Sequence, residues 1–164
     1  MTAQRRELPG RRRGIALIAA LAGFFAATAA EAGTTERVVV DRYTGLAIGG
    51  FDPVAFFTDA RPMPGDAGLE LSQAGAVWRF RNEGNLAAFV AHPEIYGPQF
   101  GGYDPVDVAR GVAYPGNPKF WLVSGDRLYL FGGAESRDAF DARPAAILKD
   151  ARKRWPALQS ELAQ

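Results

Sequence analysis

The sequence predicts an α+β domain made of two hairpin-helix units followed by a C-terminal helix. Three observations predict it. Leu69–Ser72 and Val77–Phe80 flank a turn at Gln73-Ala74-Gly75, and Phe120–Val123 and Arg127–Leu130 flank another at Ser124-Gly125-Asp126; alternating segments joined by such turns are the signature of hairpins. Each hairpin is followed by a short helical segment that stops at a proline, His92-Pro93 in the first case and Arg143-Pro144 in the second. Finally, Ala88-Phe89-Val90-Ala91-His92-Pro93 aligns with Ala139-Phe140-Asp141-Ala142-Arg143-Pro144. The match reads as an internal duplication, with chance likeness of a short string as the alternative.

From the beginning of the chain, residues 1–32 divide like a secretory signal peptide. Arg5, Arg6, Arg11, Arg12 and Arg13 precede an uncharged run from Gly14 to Ala30, and Ala30-Glu31-Ala32 offers a cleavage site before Gly33. The run is too short and Ala-rich for a good membrane span, and Arg12-Arg13 leaves both general secretory and twin-arginine export open. Residues 33–43 read as a flexible leader, 44–158 as the domain and 159–164 as a tail. Val38–Val40 and Leu46–Ile48 are short apolar segments around Tyr43-Thr44-Gly45, and Val54–Phe57 is extended or a single helical turn. Asn82 caps a predicted helix over Glu83–Ala91. Asp104 caps Val106–Arg110, with Pro105 at the first helical position. Ser136–Ala142 forms the next helix. Pro144–Leu162 forms a last helix, interrupted at Trp155-Pro156, which lays Ile147, Leu148, Ala151 and Trp155 on the sheet. Phe89 and Phe140 are predicted core anchors.

Composition excludes several chemistries. The chain has no cysteine and one histidine among its 164 residues, so thiolate catalysis, dithiol redox chemistry, cysteine-ligated metals and multi-histidine metal sites are ruled out. No nucleophile elbow, Walker-type loop or His-Glu-x-x-His helix occurs. Gly49-Gly50 and Gly101-Gly102 lack the third glycine of a dinucleotide fingerprint and read as turns. Removing the five arginines and two glutamates of residues 1–32 leaves a mature charge near −2. That excludes a nucleic-acid footprint or a polybasic membrane patch.

What remains is a polar and aromatic constellation of Asp52, His92, Tyr96, Tyr103 and Asp104. The second Gly-Gly turn, Gly101-Gly102, is expected to bring Tyr103 and Asp104 toward the helix end at His92. His92 and Asp104 would then ligate a divalent metal, or Asp52, Tyr96, Gly101, Gly102 and Tyr103 would line a pocket for a small polar ligand. The bland readings stay open beside this one. His92 suits the carbonyl end of a helix, Asp104 is an ordinary helix cap, and Asp52-Pro53 is an ordinary turn.

Gly49-Gly50-Phe51-Asp52-Pro53-Val54-Ala55-Phe56-Phe57, Trp78-Arg79-Phe80, Phe89, Pro93, Tyr96 and Pro98-Gln99-Phe100-Gly101-Gly102-Tyr103 together resemble exported YHS-domain proteins. The resemblance spans about Thr44 to Trp155. It implies a small α+β module with a metal or redox role. Many such domains carry a cysteine after Asp-Pro-Val, and the exported branch commonly has cysteine or selenocysteine after Gly-Gly-Tyr. Here those positions are Ala55 and Asp104, so thiol redox chemistry is not expected. The expectation is a non-enzymatic periplasmic or secreted binding module with no nucleic-acid partner. The alternatives are a hydrolase-like or lyase-like enzyme using His92 as general base, and a structural or partner-binding exported protein.

Overall fold

The computed structural model describes residues 37–162. The signal-peptide reading of residues 1–32 lies outside them. The elements follow the order α1 (Ala55–Thr58), β1 (Asp66–Gln73), β2 (Ala76–Phe80), α2 (Glu83–Ala91), α3 (Pro93–Tyr96), α4 (Pro105–Val108), β3 (Asn117–Val123), β4 (Leu128–Phe131), α5 (Ala134–Ala142) and α6 (Pro144–Glu161). The class is α+β, with two antiparallel two-stranded sheets, β1-β2 and β3-β4.

The two units repeat each other in detail. In the first, Leu71 faces Trp78 and Ser72 faces Val77; in the second, Leu122 faces Tyr129 and Val123 faces Leu128. Both ladders slip at the same place, between Asp66 and Glu70 and between Asn117 and Trp121. Trp78 and Phe80 meet Phe89 with ring centroids 4.9 and 5.3 Å apart, and Tyr129 and Phe131 meet Phe140 at 5.0 and 5.2 Å. Phe89 and Phe140 are each 1% exposed. They are the anchors by which each helix is held to its hairpin.

The repeat is longer than the aligned Ala-Phe-x-Ala-x-Pro strings suggest. Ile48-Gly49-Gly50-Phe51-Asp52-Pro53-Val54 and Phe100-Gly101-Gly102-Tyr103-Asp104-Pro105-Val106 occupy matching places. In each, three consecutive residues have positive φ, at 44, 65 and 77° for Ile48, Gly49 and Gly50 and at 54, 63 and 90° for Phe100, Gly101 and Gly102. A left-handed conformation costs a side-chain-bearing residue roughly 1–2 kcal/mol, so glycine at two of three positions keeps the turn affordable. Gly101 has a second constraint: a Cβ there would overlap the Arg37 carbonyl oxygen. Its own carbonyl accepts from the Val39 N–H at 2.8 Å.

That bond, with the bridge between Val40 and Ala47, ties down the described part of the 33–43 segment read as a flexible leader. Three other expectations are also adjusted. β4, expected to alternate, is buried on both faces, because Leu128 and Leu130 enter the first unit's core while Tyr129 and Phe131 pack with Phe140 and Ile147. α6 runs unbroken through Pro156 to Glu161, taking in the start of the expected tail. Pro156 removes one helical N–H, but Ala151 and Leu158 on either side of it are held in one cluster with Tyr103 and Val108. Trp155 packs on Phe100 and Tyr103, at 5.7 and 6.0 Å between ring centroids, instead of on a sheet. No helix of the described residues is long and apolar enough to cross a membrane.

The repetition makes an energetic prediction. Phe89→Ala and Phe140→Ala each empty an equivalent aromatic socket and should each lower the unfolding free energy by about 3–5 kcal/mol, measured by urea denaturation. A cost below about 1 kcal/mol for either would show that its helix is not anchored there.

Candidate functional site

Two acidic residues are fully buried among the described residues, Asp52 and Asp104, each 0% exposed. Both precede a proline that opens a helical turn, and both sit directly after a Gly-Gly-aromatic turn. The main chain holds them alike. The Asp52 N–H donates to the Met63 carbonyl at 2.8 Å and the Asp104 N–H to the Tyr114 carbonyl at 2.9 Å. Oδ1 of Asp52 accepts from the Val54 N–H at 2.8 Å, and Oδ1 of Asp104 from the Val106 N–H at 2.9 Å. The expected capping role of Asp104 is therefore present.

The two carboxylates differ at Oδ2. In Asp52 it accepts from the Arg81 N–H at 2.8 Å and from the Asn85 amide Nδ2 at 2.6 Å. In Asp104 it accepts, among the described residues, from the Gly132 N–H at 2.8 Å alone. The residue matching Asn85, third in its helix, is Ser136. Its shorter side chain makes no such bond, and its Oγ is the buried side-chain polar atom among the described residues with no hydrogen-bond partner. A buried polar group without a partner costs roughly 1–3 kcal/mol, and an ionised acceptor rewards an additional donor more than a neutral one does.

Two neighbouring exchanges remove more side chain. Asn82, whose Oδ1 caps α2 by accepting from the Asn85 N–H at 2.8 Å, is matched by Gly133, which leaves α5 without a side-chain cap. Arg81, paired with Asp59 at 2.7 Å, is matched by Gly132. The Tyr114 ring lies against Gly132, where a Cβ would come within 2.6 Å of it. The outcome is a cavity of about 310 Å³, open to solvent and lined by Asp104, Ser136, Gly132, Tyr114, Asp107, Arg110 and Glu135 among others. Burial pushes the Asp107 carboxyl above the ordinary carboxylate value, the charge of Asp104 adds to the rise, and Arg110 opposes it. The Arg110 guanidinium stands 3.4 Å from Asp107 with 69% of its side chain exposed.

The other residues singled out by sequence lie elsewhere. Asp52 is enclosed, with three donors on its two oxygens. Tyr103, 5% exposed, belongs to the core beside Trp155. Tyr96 packs edge-on against Phe57 at 5.2 Å. Gly101 borders a second cavity of about 230 Å³ with Trp78, Phe89 and Pro93, while Gly102 is part of the left-handed turn. His92 ends α2, 59% exposed at its side chain, and its one close charged neighbour among the described residues is Glu94, at 3.5 Å and 63% exposed. The pair is more than half exposed, and His92 lines neither cavity. No hydrogen bond or ion pair joins His92 to Asp104, and His92 does not line the Asp104 cavity. The metal that the YHS resemblance implies does not fit these residues. Both Asp104 oxygens already accept from backbone N–H groups, and among the described residues no group of three or more His, Cys, Asp or Glu side chains is placed to hold an ion.

Sequence reading missed Ser136, Gly132 and Tyr114. The signal that could have found Ser136 and Gly132 was the repeated Ala-Phe-x-Ala-x-Pro string: carried back from Ala88 and Ala139 without a gap, it sets Ser136 against Asn85 and Gly132 against Arg81. No protein-family model, curated protein or solved structure matches the chain.

The raised Asp107 value has a defined consequence for stability. The folded state holds that proton more tightly than the unfolded chain, whose value is near 3.8. Folding is therefore free of the penalty below that pH and carries it in full once pH exceeds the folded-state value. Asp107→Asn should raise Tm at pH 7, and the gain should vanish as pH falls below about 4. A Tm difference that is the same at both pH values, or a loss at pH 7, would contradict this.

Proposed function

We propose that the protein is an exported YHS-like binding module that takes a small polar ligand at the Asp104 cavity and carries out no thiol chemistry. The observation that carries the reading is the inequality of the two buried carboxylates. Asp52 has three donors and is closed in, whereas Asp104 has two and faces a 310 Å³ cavity beside the unpartnered Ser136 hydroxyl. A cavity of that size with a few convergent polar groups is the usual form of a small-molecule site. Absence of a side chain at two matched positions and a shorter one at a third leave space within the scaffold that repeats around it.

Export is supported by the division of residues 1–32 into a basic start, an apolar run and a small-residue cleavage motif. It follows that the module works in the periplasm or outside the cell. The resemblance to YHS-domain proteins rests on the motifs around Asp52 and Asp104, and the absence of cysteine from the chain removes the thiol chemistry of that group. A non-enzymatic role is favoured by the exposed setting of the lone histidine.

The test is amide NMR of the purified protein against a panel of small polar molecules and of Mn(II), Zn(II), Cu(II) and Ca(II). A ligand should shift Asp104, Gly132, Gly133 and Ser136, and His92→Ala should leave the affinity unchanged. Shifts centred on His92, or a metal whose binding His92→Ala abolishes, would overturn the reading.

A further inference from the structure

We propose that the ligand of the Asp104 cavity is a primary ammonium group on a small organic molecule. This rests on the reading of the cavity as a binding site and adds the chemistry of its occupant.

The walls select for it in three ways. At the floor, Asp104 Oδ2 has a single donor among the described residues, Gly132 N–H, where its counterpart in the first unit has two. The missing donor is an amide N–H₂, the one Asn85 supplies to Asp52 at 2.6 Å. A ligand nitrogen bearing hydrogens takes its place, and Ser136, whose buried Oγ has no partner among the described residues, lines the same cavity. The charge is also one-sided. Asp104, Asp107 and Glu135 line the cavity against Arg110 alone, and Arg110 leans toward Asp107 at 3.4 Å. In the first unit the position of Gly132 is Arg81, whose guanidinium pairs with Asp59 at 2.7 Å; the second unit has no side chain, and so no cation, at that position. Finally, Tyr114 forms an aromatic wall, 53% exposed and laid against Gly132. An exposed aromatic face beside a carboxylate suits a cation.

A primary ammonium satisfies all three, since it donates hydrogen bonds, carries positive charge and stacks on an aromatic ring. A quaternary ammonium meets only the last two. An anion meets none. The enclosing volume of about 310 Å³ fits a molecule of modest size.

The experiment uses four probes of one carbon skeleton with the purified protein: n-butylammonium, N,N,N-trimethylbutylammonium, butyramide and butyrate. Amide NMR titration is read at Gly132 and Ser136. Butylammonium should shift both residues saturably and bind more tightly than the other three. Ser136→Asn restores the first unit's amide donor, so it should weaken butylammonium by about tenfold or more. Tyr114→Ala, an exposed change that leaves the backbone bond to Asp104 in place, should weaken it by about two- to five-fold. Butyramide or the trimethyl probe binding as tightly as butylammonium, with loss of binding in Ser136→Asn, would sink the ammonium assignment and leave the cavity a binding site. No probe acting at Gly132 and Ser136, or equal binding by Ser136→Asn, would sink both.

Discussion

A carboxylate taken out of water must be given hydrogen bonds by its surroundings, and in this chain two such carboxylates organise the fold. Asp52 and Asp104 each follow a left-handed Gly-Gly turn and precede a proline. From that junction one oxygen accepts from the N–H two residues on, at Val54 or Val106, and the other reaches the chain where the second strand of a hairpin has just ended, at Arg81 or Gly132. The backbone N–H of the same aspartate bonds the loop leading into the first strand, through Met63 or Tyr114. One buried side chain thus ties a turn, a helix, a loop and a strand end. The aromatic trios around Phe89 and Phe140 then supply the apolar burial.

Duplication of such a unit leaves two copies free to differ where the tie is already sufficient. The first copy keeps Arg81, Asn82 and Asn85; the second has Gly132, Gly133 and Ser136. Each exchange shortens a side chain, and together they convert a filled junction into a cavity with a carboxylate at its floor. The scaffold tolerates this because the backbone donors to Asp104, Val106 N–H and Gly132 N–H, do not depend on the side chains lost. The reverse exchange on the strand faces serves packing. Arg79 of the first hairpin is paired with Glu70 at the surface, whereas Leu130 at its counterpart is fully buried between the units.

Much of the fold was legible because it is local. Hairpin turns at Gly75 and Gly125, the Asn82 cap, the Asp104 cap and the proline stops after α2 and α5 all rest on neighbours a few residues apart, and α2 occupies the expected Glu83–Ala91. The continuity of α6 through Pro156 was not legible, since it depends on packing against Tyr103 and Val108, distant in the chain. The site divides on the same line. Asp104 was recognisable as a polar residue at a Gly-Gly turn. Its Oδ2 partner at Gly132 and the idle hydroxyl of Ser136 are contacts across the fold, and His92, grouped with Asp104 on residue type, has an exposed partner of its own in Glu94. The repeated Ala-Phe-x-Ala-x-Pro string was visible in the sequence and, carried back without a gap, would have predicted the comparison that exposes the site.

The central claim is that two equivalent buried carboxylates are unequally satisfied, and a reciprocal exchange measured by urea unfolding tests it most directly. Asn85→Ser takes a donor from Asp52 and should lower the unfolding free energy by roughly 1–3 kcal/mol. Ser136→Asn gives Asp104 that donor, and should raise the unfolding free energy. Opposite signs are the predicted result. A destabilising Ser136→Asn, or an Asn85→Ser without cost, would contradict the account.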